Sequence, residues 1–579
     1  MRRSKKVLKW CSLTVLALAL LSLTGGCEQP DWENPEYISG QLESGNPTER
    51  KIALKKLSDL DEKKQKKAVP SLVKVYNDEG SNQKKAMQML VEMRSGSAKK
   101  AYMKEVKKNA TGYAGAAAEA LGETKTTSAI PDLLKLYEST GDTEVKLAIL
   151  RGFQYMPKPS MVDALIKTLQ LDVDNNPIPL HSYSCDILGD IAQNNPDALS
   201  KKDHRVLVRA QFLANKKGQN VQQECSIAIQ KLGKPAIPIL IETFKEKNKA
   251  VNQLFMKYRN DSTQYPPNRA KVAATQRLTS LQAKKAVDLY MEDLEKERET
   301  PGDLPDKFIR PWWTFEAQAI DEMVFGLGEL GAKKAKDLLV ETVTGEMNDT
   351  WSAVIDYRSE LQLRQDAAFS LVRLGARDTT DTLMEMAKEG VVKKLEQRAA
   401  AAAKSDKIKD MPTLQRYQFN WMAAQAWANL ATGEQLGELK ALIEETPEEK
   451  KKLVEKYKSF LPMVKLAKKC MAKGSDKKKA SCYGEALKSD KALVREKAAW
   501  ELMHLPTKAS GPVLAKGLAT EHLDTREILT VATYHNPTKA AISKIDEILE
   551  KESDETAKSY KLDHYRLKLL RAWLKNELA

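Results

Sequence analysis

A chain of 579 residues is too long for one compact hydrophobic core, which leaves stacked repeats or several domains. Charged residues make up 30% and aromatics 6%. Ala, Leu, Lys and Glu are prominent, a composition that favours helix, and no alternating β-branched run bounded by hairpin turns argues for a sheet. The formal net charge of +15 is carried mostly by Lys, which suits a solvated surface better than bidentate phosphate recognition, so nucleic acid is not an expected partner.

The first residues have their own logic. Arg2, Arg3, Lys5, Lys6 and Lys9 precede an apolar stretch, Leu13 to Leu23, of 11 residues, too short to span a bilayer comfortably. The following Leu23-Thr24-Gly25-Gly26-Cys27 resembles the bacterial lipoprotein signal, with Thr24 where that family usually has Leu. The resemblance implies that residues 1–26 are removed and that Cys27 carries the lipid; an ordinary secretory peptide cut nearby is the alternative. Processing would lower the net charge to +10. Glu28, rather than Asp, after the Cys implies outer-membrane sorting by the same resemblance, where the organism has such a membrane. Residues 27–36 then form a polar tether, with Trp32 against either the first helix or the lipid surface.

From residue 37 an apolar cassette returns six times: an Ala-rich stretch, a Leu-Gly type of stop, and an Ala/Pro/Leu restart. Clear copies are Ala116–Tyr137, Cys225–Phe244 and Glu322–Val343; weaker ones are Ile52–Tyr76, Gln276–Leu294 and Ala367–Met386. Such a unit cannot bury its apolar face alone and must stack on its neighbours. Asn46-Pro47-Thr48-Glu49 reads as a helix start, and Gly after Leu at 122, 233, 331 and 375 as a left-handed stop. Ala129-Ile130-Pro131-Asp132-Leu133-Leu134, followed by Asp142, Val145, Lys146 and Ala148, resembles the HEAT-repeat family, including its phycobilisome-lyase-type bacterial relatives. Lys146 stands where that family has Arg, and Val494-Arg495 keeps the Arg. The resemblance implies an all-α solenoid, a superhelix of stacked antiparallel helix pairs. Residues 37–290 are expected to form an N-terminal solenoid, 291–311 a charged, proline-broken segment, 312–445 a middle solenoid and 446–579 C-terminal helical repeats.

Candidate chemistry is sparse. Cys470 and Cys482, 12 residues apart across a flexible turn, are expected to form a disulfide. Cys185 and Cys225 either bridge neighbouring layers or are two buried thiols. No Cys-x-x-Cys, His-x-x-x-His, Walker loop or Gly-x-Ser-x-Gly occurs, so neither metal, cofactor nor catalytic residue is expected. Arg310 with Trp312 and Trp313 is the one partner-binding candidate, against the plainer reading that Trp313 staples the next helix. Trp421 and Trp427, with Tyr417 and Phe419, fall at core spacings. The expectation is a non-enzymatic, membrane-anchored scaffold that binds an envelope protein or an extended polymer. The alternatives are an envelope enzyme or lyase of the same fold and a wall- or lipopolysaccharide-binding lipoprotein. An enzyme would show itself by a concave pocket that collects Asp, Glu or His without structural partners.

Overall fold

The computed structural model describes residues 30–108, 112–258, 268–299, 315–344, 357–388 and 417–579. The architecture is an all-α solenoid: antiparallel helix pairs joined by tight turns, with no β-strand among the described residues and a single isolated bridge between Ala214 and Asn220. The chain divides into two compact units at Pro157/Lys158, inside the stretch 37–290 expected to be one solenoid. The segment 291–311, expected to be irregular, begins within a helix, Ala286–Glu299.

In the first unit, Pro35–Leu42 pairs with Pro47–Ser58, Val69–Asn77 with Gln83–Met93, Lys99–Lys108 with Ala114–Glu123, and Ile130–Ser139 with Thr143–Gln154. First helices stack on first helices and second on second. The starts follow from capping chemistry. Asn46 Oδ1 accepts from the Thr48 amide at 2.9 Å with Pro47 in the first turn, and Asp142 accepts from Glu144 at 2.9 Å and Val145 at 3.3 Å. Trp32 meets Tyr37 edge to face, 5.3 Å between ring centres, at the entrance to the first helix. Gly122 departs from expectation. It does not stop its helix, which runs to Glu123, and the left-handed residue is Lys125, at φ 49°. Its glycine serves a close approach: a Cβ there would lie 2.3 Å from Gly152 Cα in the neighbouring helix.

The helices of the second unit that matter below are α1 (Ile178–Asn194), α2 (Gln222–Leu232), α3 (Arg269–Ser280), α4 (Phe315–Glu329), α5 (Tyr357–Leu374), α6 (Gln418–Leu430), α7 (Ala492–His504), α8 (Leu523–His535) and α9 (Lys558–Glu577). Each packs on the next, and α9 returns to pack on α2. The stack within this unit therefore closes on itself instead of remaining an open curve.

The closure runs through backbone carbonyls. The last turn of any helix leaves carbonyls without intrahelical partners. Here they are met by side chains from far along the chain: Asn576 Nδ2 donates to Gln230 O (3.1 Å) and Lys231 O (2.9 Å), His535 Nε2 to Glu329 O (2.9 Å), and His504 Nε2 to Val372 O (2.9 Å). The buried Lys497 ammonium donates to Asn429 O (2.6 Å) and Ala431 O (3.0 Å). Gly233, Gly331 and Gly375 are the left-handed stops that the cassettes imply, at φ 72°, 62° and 64°. A Cβ on Gly375 would also stand 3.0 Å from the His504 ring, and one on Gly233 2.7 Å from Asn576.

Gly122→Ala would drive a methyl into backbone that cannot rotate aside, and a cost of about 1–3 kcal/mol, read by denaturant titration, is expected. Burial, with the nearby Lys284 charge adding, takes His535 from 6.5 down to about 4. The unfolded chain binds that proton and the folded chain refuses it, so stability is lost as pH falls from 6.5 towards 4, with a slope of at most about 1.4 kcal/mol per pH unit. His535→Gln, which keeps a donor, is expected to flatten that part of the stability–pH curve in thermal melts.

Candidate functional site

Between the two arms of the closed stack lies a cavity of about 880 Å³, lined by α2, α3, α4, α5, α8 and α9. Helical spacing puts the lining residues on single faces: Asp321, Phe325 and Glu329 follow one another at four-residue intervals on α4, as do Gln362 and Asp366 on α5. The opposite face of α4 buries Val324 and Leu327 in the core. The cassette writes part of this lining directly. In each of the three copies with a left-handed Leu-Gly stop, the residue eight positions before the Leu is acidic: Glu224, Glu322 and Asp366. All three line the cavity, together with Asp321, Glu329 and Glu527.

Some of this charge is answered locally. Gln276 Nε2 donates to Glu322 at 2.6 Å, Gln362 Nε2 to Asp366 at 2.8 Å, and Arg566 pairs with Glu527 at 2.8 Å. Arg373 lies over the Phe325 ring at 4.0 Å and opposes the charge of Glu329. Asp321 is the strained member. Burial, then the charge of Asp366 and the hydrogen bond to it, push its carboxyl up to about 10. Its Oδ1 has no hydrogen-bond donor. Burial raises Glu322, while Gln276 and Arg277 pull it back. Burial takes Glu329 up to about 7. Arg277 is only 7% exposed; its guanidinium lies 5.8 Å from the Tyr565 ring centre, and its Nη1 has no hydrogen-bond partner. Tyr534, Tyr565 and Phe325 supply aromatic walls.

The residues singled out from sequence lie elsewhere. Cys27, Arg310, Trp312 and Trp313 are outside the described residues. Cys185 on α1 is bonded to Cys225 on α2 (S–S 1.99 Å), tying two neighbouring layers, and Cys470 to Cys482 (2.01 Å) across the turn between Lys451–Met471 and Asp476–Ala486. Trp427 and Phe419 are buried on α6, while the Lys456 ammonium sits over Trp421 at 4.9 Å. Among the described residues one cluster has the donor set of a metal site: Glu552, Asp563 and His564. The buried Arg526 fills it, reaching Asp563 at 2.7 Å and both Glu552 oxygens at 2.9 Å, so its charge requirement is met by a guanidinium.

An Asp321 carboxyl that folding holds protonated weakens the fold wherever the unfolded chain would ionise it, from pH 3.8 upward. Asp321→Asn is therefore expected to melt several degrees above the wild type at pH 7, with the gap closing as pH falls towards 4. Thermal melts across that range test it.

Comparison with known proteins places the repeat. The family model described as "PBS lyase HEAT-like repeat" matches residues 114–139, which spans the cassette at Ala116–Tyr137. No curated protein matches the chain. Among solved structures, importin β is 12% identical over 91% of this chain and 66% of its own, with a TM-score of 0.34; the chain thus spans just under two thirds of that protein's length. Kap95p, solved with RanGDP, is 13% identical over 93% of this chain and 78% of its own (TM-score 0.38), and Kap121p bound to Pho4p is 10% identical over 96% and 76% (0.25). At these TM-scores the likenesses add nothing to the helix pairing described above. What the chain shares with that family model is the helix-pair repeat itself.

Proposed function

We propose that this protein is a lipid-anchored scaffold of the cell envelope, probing its surroundings with a helical-repeat surface and holding a protein partner there. Two disulfides carry the reading, because bonds of this kind persist in oxidising compartments and are rare in a reducing cytosol. The basic, apolar and Gly-Gly-Cys27 succession at the N-terminus supports export and acylation, and Glu28 supports the outer membrane as destination. Stacked helix pairs offer many modest contacts, and an acyl anchor concentrates them at a membrane surface. Fractionation of cells that express the full chain tests this. Wild type is expected in the membrane fraction and Cys27→Ala in the soluble envelope fraction; an unchanged distribution, or wild type recovered from cytosol with reduced cysteines, overturns it.

One observation favours a second reading. The cavity does collect carboxylates, and Asp321 beside Asp366 has the form of an acid–base pair, as an envelope enzyme would need.

A further inference from the structure

The positive charge of this chain is concentrated in one place. Of 94 basic and 79 acidic residues, residues 1–26 hold five and none, and residues 451–491 hold thirteen and four, which leaves 76 against 75 for everything else. The excess beyond residue 26 therefore sits on two consecutive helices, Lys451–Met471 and Asp476–Ala486, and the turns that follow them. All thirteen bases are Lys. On the first helix Lys451, Lys458 and Lys465 recur every seven residues and Lys469 follows four later, which puts them on one face. That face is exposed, while Tyr457, Phe460, Val464 and Ala467 are buried on the opposite one. At 1.5 Å per residue the stripe is about 27 Å long. It runs on into the turn and the start of the second helix, where Lys473, Lys477 and Lys478 are also exposed. The Cys470–Cys482 bond ties the two helices across that turn, 5.5 Å between Cα atoms, and holds these lysines close together.

Elsewhere exposed helices set an acid one turn from a lysine, as Glu62 with Lys66 and Glu292 with Lys296. Lys465, Lys468 and Lys469 have no acid three or four residues away in either direction, and Lys465 stands one turn from Lys469, a like-charge spacing that weakens a helix. The aromatic side chains of the segment, Tyr457, Phe460 and Tyr483, are all buried, so the lysines border no stacking platform for a base or a sugar ring.

We propose that this lysine face docks on an anionic phospholipid surface. A bilayer presents a plane of separate, mobile phosphates. That suits point-like ammonium groups on flexible stems and requires neither the planar fork of Arg nor a groove. Several lysines that meet such a surface together are held by its negative potential, which acts within a Debye length. Lipid charge facing the stripe also relieves the repulsion along it, so the feature that weakens the free protein favours the docked one. An acyl anchor only keeps a chain near a membrane; the lysine face turns one side of these two helices toward it, with or without lipid on Cys27 and whatever partner the scaffold holds.

The test uses the full chain with vesicles of phosphatidylcholine, alone or with about 30% phosphatidylglycerol, and follows amine labelling by an N-hydroxysuccinimide ester, lysine by lysine, by mass spectrometry. Labelling of Lys458, Lys465 and Lys469 is expected to slow about threefold or more on the anionic vesicles and to recover in about 1 M NaCl, where the Debye length falls to about 3 Å. Lys202, Lys333 and Lys551, exposed elsewhere in the same unit, are expected to label alike on both vesicles. A chain carrying Lys458→Glu, Lys465→Glu and Lys469→Glu together is expected to melt with the wild type or above it, and to lose the protection of Lys473 and Lys478. Equal labelling of the stripe on both vesicles overturns the proposal. So does equal slowing at Lys202, Lys333 and Lys551, protection that persists in salt, or protection of Lys473 and Lys478 that survives the triple substitution. Protection by soluble polyglutamate with none from anionic vesicles also overturns it and makes the face a site for an acidic protein. After a salt wash, the fractionation of Cys27→Ala reports the acyl anchor alone, so the two readings fail separately.

Discussion

The fold of the second unit depends on where the last carbonyls of its helices find donors. A repeat helix that stops at a left-handed glycine turns the chain sharply and leaves its final C=O groups facing outward. In an open stack those groups meet water. Here such groups, at Gln230, Lys231, Glu329 and Val372, and at Asn429 and Ala431 where α6 ends without a glycine, meet an amide, two imidazoles and an ammonium delivered by α7, α8 and α9. One net hydrogen bond of this kind contributes about 1 kcal/mol, but leaving its buried partner unmet costs more. The carbonyls thus select the return of the C-terminal helices as well as stabilise it.

Closure in turn creates the cavity. Faces that would line one broad concave surface in an open curve are brought opposite each other, so that α8 and α9 confront α2 to α5. Carboxylates that would be solvated and unremarkable on an open surface become half-buried neighbours. The raised carboxyls of Asp321 and Glu329 are consequences of that confinement rather than of any one residue. The fold pays for the arrangement in stability, a pattern that goes with binding sites more than with packing.

The sequence made the repeat legible and the closure illegible. Leu-Gly at 233, 331 and 375, Pro47 and the Asp142 cap are local signals, and local physics realises them. Gly122 shows the limit of such a signal, since the same dipeptide serves helix-to-helix contact at Gly152 and not a turn. The capping pairs lie 132, 206 and 345 residues apart, and nothing in a His or Asn announces a carbonyl at that distance. The cavity was half legible. Glu224, Glu322 and Asp366 share one register in their cassettes, a regularity visible in the chain. Asp321 and Arg277 gain meaning only from their neighbours, because among 79 acids any two can be paired on paper.

The return of α9 to α2 also bears on how such a chain can change over evolutionary time. A linear array tolerates the gain or loss of a layer, because the ends simply move apart or together. A closed course of layers behaves like the staves of a cask. Adding one would carry Asn576 past the carbonyls it serves and part the seam, so in this unit duplication, the usual way repeat proteins grow, is barred unless the whole circuit is rebuilt at once.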